Sequence, residues 1–190
     1  RRQAERLGKE YPMSFADNAL DFRSGNPKPC GKPEEILAHG RKFYHELSPE
    51  TAEFIDMMLD NELMDVLSRT GKAGGGYCTD LLMYKVPFIF ANFNGTSDDV
   101  ETITHEAGHA FAAWTGRDTV PNGSMSPTYE ACEVHSMSME FFAWPWAEGF
   151  FGGEILRVVE NLRKNSGDVK ELAVDFLVYG ALAEIFARTT

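Results

Sequence analysis

Two histidines four residues apart, with a glutamate beside the first, stand in the stretch Thr104-His105-Glu106-Ala107-Gly108-His109. On an α-helix, positions i and i+4 lie one above the other on the same face. His105 and His109 can then hold one metal ion between them, with Glu106 next to its open side. Zinc suits this pattern because it accepts imidazole nitrogen and keeps a position free for water in catalytic sites. The chemistry would be hydrolysis, with the metal polarising a carbonyl and the carboxylate carrying a proton. Catalytic zinc usually has three protein ligands. No histidine follows at the short spacing of the three-histidine metalloproteases, so the third ligand must come from another segment. The run from Tyr129 to Glu140 offers it. Glu133 and Glu140 are seven residues apart and share a helical face. Glu133 is the choice for third ligand and Glu130 its rival. Glu140 is placed to accept the free ring N–H of a ligand histidine. His135 is turned off that face by nearly half a turn, and Cys132 points elsewhere.

These groups need two helices to hold them. The first is expected to start at Thr96-Ser97-Asp98-Asp99, whose side-chain oxygens can cap it, with Asp98 and Glu101 at capping-box spacing. Val100, Ile103, Ala107, Ala110, Phe111 and Trp114 recur at helical period and mark its buried stripe. The second should run from Ser126-Pro127 to about Trp144-Pro145. Upstream, a helix is expected from Pro33, with Ile36, Leu37, Phe43, Tyr44 and Leu47 on one face. Ser48-Pro49-Glu50 starts another, which should carry Phe54 through Leu67 and close at Gly71. Val86 to Phe93 reads as a strand, and Pro87 places it at a sheet edge. An edge there could pair with an extended peptide through Phe90, Ala91 and Asn92. The run Gly71-Lys72-Ala73-Gly74-Gly75-Gly76-Tyr77-Cys78 lacks the context of a phosphate loop. It reads either as a flexible loop or as a flap bringing Gly75, Gly76 and Tyr77 against a ligand. After a break at Gly149–Gly153, helices are expected at about 154–164 and 168–187, the last apolar most of the way round. His39 and His45 lack ligand spacing and read as surface histidines.

The chain of 190 residues is long enough for one core, and a net charge of −11 argues against a nucleic-acid partner. Three scattered cysteines imply no disulfide framework. With no apolar leader and no membrane-length stretch, the expectation is a cytoplasmic protein away from membranes. Residues 1–32 read as a surface lead-in, and 33–190 as a single core.

The ordered set of motifs resembles the thimet-type oligopeptidase family, in particular its bacterial oligoendopeptidase F branch. The resemblance runs through Asn26-Pro27-Lys28-Pro29, Leu47-Ser48-Pro49-Glu50-Thr51, the Gly71–Thr79 run and Pro87–Thr96. It continues through His105-Glu106-Ala107-Gly108-His109 and Glu133–Phe142. It implies a mainly α fold with a small β edge-strand region, a zincin-like metallopeptidase core. It further implies one zinc per chain on His105, His109 and Glu133, with Glu106 as the catalytic carboxylate. The expected activity is endopeptidase cleavage of short unfolded peptides. Family members are longer, with an N-terminal helical region and a downstream His- and Tyr-bearing segment that nothing after Gly153 reproduces. The chain thus reads as a catalytic core from a larger enzyme, prone to self-association through its last helix. The alternative is a non-catalytic fragment that keeps zinc and peptide binding.

Overall fold

A computed structural model of the chain describes residues 1–17, 20, 23, 25–120, 124 and 126–153. The helices expected at 154–164 and 168–187, and with them the surface for self-association, lie outside the described residues. Helix α1 spans Arg2–Leu7 and buries Ala4 and Leu7, so the lead-in is not wholly superficial. Helix α2, Pro33–Leu47, starts with proline in its first turn, and the Glu35 carboxylate accepts the Lys32 N–H at 2.7 Å. Its apolar face buries Ile36, Phe43 and Tyr44. Helix α3, Pro49–Asp60, is capped reciprocally: Thr51 N–H donates to Ser48 Oγ at 3.2 Å, and Ser48 N–H to Thr51 Oγ1 at 3.0 Å. Phe54, Ile55 and Met58 join the α2 residues in one core.

The end of α3 differs from the sequence reading. The helix stops at Asp60, not near Gly71. Leu63 N–H reaches back to Met58 O at 2.9 Å and Glu62 N–H to Leu59 O at 3.2 Å, with Glu62 at φ 55°. That is a Schellman turn in which glutamate takes the left-handed position that glycine usually fills. Leu63, Val66 and Leu67 therefore leave the helix, and Met64–Asp65 becomes strand β1.

Strands β2, Tyr77–Leu81, and β3, Val86–Phe90, complete a three-stranded sheet in the order β1-β3-β2. The edge position expected for Val86–Phe93 is thus overturned, because β3 is central. It pairs parallel with β1 (Met64 opposite Ile89) and antiparallel with β2 (Tyr77 opposite Phe90). Pro87 is tolerated for a local reason. The donors facing β1 are Ile89, Ala91 and Phe93, which reach Leu63 O, Asp65 O and Val66 O at 2.9–3.0 Å. Residue 87 lies on that same side, before β1 begins, so its missing N–H costs no ladder bond.

Helix α4 spans Asp98–Gly116, with Val100, Ile103, Ala107 and Ala110 buried against the sheet and core. The expected capping box is not formed: Ser97 is itself helical and makes no side-chain cap. The buried Asp99 carboxylate instead accepts Asn94 N–H at 2.9 Å and Gly95 N–H at 2.7 Å, tying the strand-to-helix turn to the first helical turn. Helix α5, Tyr129–Ala143, crosses α4 at Gly108. A Cβ there would stand 2.6 Å from Ser136 Cα and 2.9 Å from His135 O, so only glycine allows this approach. A 3₁₀ turn, Trp144–Trp146, and helix α6, Ala147–Phe151, fold back onto α2, where the Trp146 ring packs 5.1 Å from Phe43. Cys30 N–H donates to Phe150 O at 2.7 Å and pins the lead-in to α6. Among the described residues no helix is long and apolar enough to cross a membrane.

Candidate active site

The close crossing of α4 and α5 brings three of the singled-out side chains to one point. Glu133 Oε2 lies 3.1 Å from His105 Nε2 and 3.6 Å from His109 Nε2. One ligand atom from each residue fits within a sphere of mutual distances no larger than 4.8 Å. Two imidazole nitrogens and one carboxylate oxygen, all partly open to solvent, match the donor set of a zinc site that keeps room for water. Among the described residues this is the one such cluster. Glu130 lies exposed outside it, and Cys132 Sγ turns toward Pro127 O.

Glu140, two turns beyond Glu133, meets the other side of the same imidazole: its Oε1 lies 2.5 Å from His105 Nδ1. With Nδ1 donating, the neutral ring carries its lone pair on Nε2, toward Glu133. The Glu140 carboxylate also raises the pKa of His105 against the lowering effect of burial. His109 moves the other way: burial and the neighbouring His105 lower it, which favours the neutral, ligating form. The His135 ring stands 5.9 Å from that of His109, outside the cluster, with its buried Nε2 lacking a hydrogen-bond partner.

Glu106 sits beside the cluster but is only 9% exposed. Burial raises its pKa, opposed by His105 and by a backbone hydrogen bond from Cys78. That bond places Glu106 at the outer rim of β2. Because Ile89 and Ala91 donate toward β1, alternation turns Phe88 and Phe90 toward β2. The backbone groups of Cys78 and Asp80 then face away from β3. Phe90, Ala91 and Asn92 do not form a free edge: Ala91 N–H is taken by Asp65 O at 2.9 Å, and the Asn92 amide donates to Ala73 O at 3.1 Å.

The glycine run has a fixed root and a bare tip. Lys72, with a side chain 1% exposed, donates to Asp65 O, Asp65 Oδ1 and Leu67 O at 2.8–2.9 Å and lies 4.7 Å from the centre of the Phe90 ring. Gly74 and Gly75 are exposed with nothing within 4 Å of a built Cβ. Gly76 is different: a Cβ there would meet Thr102 Cγ2 at 2.5 Å and Glu106 Oε1 at 3.6 Å. Tyr77 then stacks on Phe90 at 5.0 Å. Of the glycines and tyrosine read as a flap, Gly76 thus stands against Glu106, while Gly74 and Gly75 remain open.

Sequence reasoning overlooked Ser136. It is fully buried at the helix crossing, and its Oγ lies 3.0 Å from Glu133 Oε2. The available signal was its position three residues after Glu133, one helical turn along the same face.

Comparison with known proteins places this geometry. Peptidase family M3 matches residues 40–148. Oligoendopeptidase F, chromosomal, of Lactococcus lactis subsp. cremoris is 26% identical over 113 residues, covering 60% of this chain and 17% of that protein. A Bacillus anthracis protein named as an oligoendopeptidase F has a crystal structure that superposes with a TM-score of 0.74 at 53% identity, over 80% of this chain and 28% of that one. PZ peptidase A, solved with an inhibitor, is 52% identical with a TM-score of 0.74, over 79% and 26% of the two chains. The present chain thus spans less than a third of the length of these relatives. The architecture, mainly helical with one small sheet, is that of these zincin-like oligoendopeptidases. By the extent of the match, the chain belongs to peptidase family M3.

Proposed function

We propose that the chain is the metal-binding core of a zinc endopeptidase acting on short, unfolded peptides. The observation that carries this is the meeting of His105, His109 and Glu133 donor atoms within 4.8 Å, with Glu106 alongside. His105, His109 and Glu133 would hold the ion. Zinc bound there supplies Lewis acidity toward the scissile carbonyl and lowers the pKa of an attacking water to about 7.

The remaining work falls to the chain. Glu106 takes a proton from the attacking water as its oxygen adds to the carbonyl carbon. The C–N bond breaks as Glu106 returns that proton to the leaving amine. Its burial, which raises its proton affinity, fits a base that must both accept and release a proton. Glu140 keeps the His105 proton on Nδ1. The peptide lies along the outer rim of β2, beside Gly76 and Tyr77, where the Cys78 carbonyl and the backbone groups of Asp80 face outward irrespective of side-chain identity, the Cys78 N–H being held by Glu106. This replaces the Phe90–Asn92 edge, whose groups are used within the fold.

The test is cleavage of a quenched fluorescent peptide by the 190-residue chain. Glu106→Gln should retain one zinc per chain and lose turnover, and a chelator should abolish wild-type cleavage. Wild-type turnover by the Gln variant would remove Glu106 from its role. The other reading is a domain that binds zinc and peptide through the same His105, His109 and Glu133 cluster without cleaving. Peptide binding to zinc-loaded chain, with no product formed, would select it.

A further inference from the structure

We infer that Ser136 is a positioning residue for the metal centre: its buried hydroxyl holds the Glu133 carboxylate in the orientation that faces both histidines. This rests on the reading of His105, His109 and Glu133 as ligands.

The Glu133 side chain is half-exposed, at 50%. Left alone, such a side chain samples several rotamers, and each ligation event must freeze it. Ser136 is 0% exposed and on the same helix, one turn further on. Its Oγ lies 3.0 Å from Glu133 Oε2, the very oxygen that faces His105 and His109. The hydroxyl also lies 3.1 Å from Glu133 O and 3.5 Å from Cys132 O, the ordinary resting place of a helical serine. It has one proton to give. Donation to an ionised carboxylate is charge-assisted and stronger than donation to a neutral carbonyl, so the carboxylate wins it.

The crossing itself leaves Ser136 little freedom. Gly108 of α4 passes so close to Ser136 Cα that the backbone of residue 136 is fixed relative to the helix bearing both histidines. The hydroxyl is therefore referenced to His105 and His109, not only to its own helix. A competing explanation is purely steric, since the crossing needs a small residue at 136. Alanine meets that need equally well and lacks the hydroxyl, which makes the two accounts separable.

The experiment uses the full 190-residue chain. Zinc affinity is measured by competition with a chromophoric chelator for wild type, Ser136→Ala, Glu133→Ala and the double variant. The melting temperature of each metal-free protein is measured in parallel. Removing an outer partner of a metal ligand typically weakens affinity by about 10–100-fold. Ser136→Ala should show a loss in that range, with the metal-free melting temperature unchanged. In the Glu133→Ala background the same substitution should add nothing, because Ser136 acts through Glu133. Ser136→Gly, which also fits the crossing, should match the alanine variant in affinity even if it melts lower. Unchanged zinc affinity in Ser136→Ala, or an equal loss with and without Glu133, would overturn the assignment. Failure of wild type to bind zinc would instead sink the proposed function, and the two failures are told apart by the wild-type titration.

Discussion

Glu140 acts on the site through a single nitrogen, His105 Nδ1, 2.5 Å from its Oε1. Replacing Glu140 with alanine should leave the fold intact and weaken zinc binding by about 10–100-fold, read by chelator competition. The ring would lose both its anchored tautomer and the carboxylate that raises its pKa. At this scale much of the site is visible in the sequence, because helical geometry converts spacing into direction. His105, Glu106 and His109 need only one helix to be placed, and Glu133 and Glu140 one more. Ser136 escapes because a serine inside a helix ordinarily bonds its own preceding turn, and nothing in its type announces a partner. Lys72 escapes similarly: its acceptors on Asp65 and Leu67 lie across a turn that the sequence reads as helix.

Among the elements, the α4–α5 crossing is the tightest constraint. Gly108→Ala would drive a methyl group to within 2.6 Å of Ser136 Cα, a backbone atom that cannot step aside. Overpacking of this kind typically costs about 1–3 kcal/mol. Thermal unfolding should show the loss, and zinc affinity should fall with it as Glu133 moves from the histidines. The glycine loop has its own lock. Arg69 and Lys72 hold the Asp65 carboxyl well below the usual carboxylate range through direct hydrogen bonds. A folded-state pKa below the unfolded one stabilises above the unfolded value of about 3.9 and fades as pH falls below it. The melting-temperature gap between wild type and Asp65→Asn should therefore be constant near neutrality and close on acidification below about pH 4. Lys72→Met should loosen the loop root, and limited proteolysis should cut faster around Gly74–Gly76. The elements show where sequence patterns mislead. The α2 and α3 starts follow their Pro and Ser signals, since capping is local. The α3 end does not, because glutamate at position 62 occupies a conformation that patterns assign to glycine. Pro87 suggests a sheet edge, whereas β3 is central; what matters is which side the missing N–H would face, and that depends on where β1 begins.

For the molecule as a whole, the proposed ion would join two helices separated by the 117–128 connection, so binding should stabilise the folded chain. At a free zinc concentration one hundred times the dissociation constant, linkage gives about 2.7 kcal/mol. In a domain of this size each kcal/mol moves the midpoint by about 2–4 °C, so zinc should raise it by roughly 5–11 °C. Differential scanning calorimetry with and without chelator checks this, and an unmoved midpoint would speak against a folded-state site. The placement of Pro87 carries one more consequence. Where β1 stops short, a newcomer strand would face a pyrrolidine ring instead of a donor, so that stretch of β3 is sealed against pairing. Past β2, whose residues 77–81 include no proline, lengthening meets no such block. Substrate and an aggregating neighbour would then compete for the same berth, and a saturating peptide should keep concentrated protein dispersed as well as occupied.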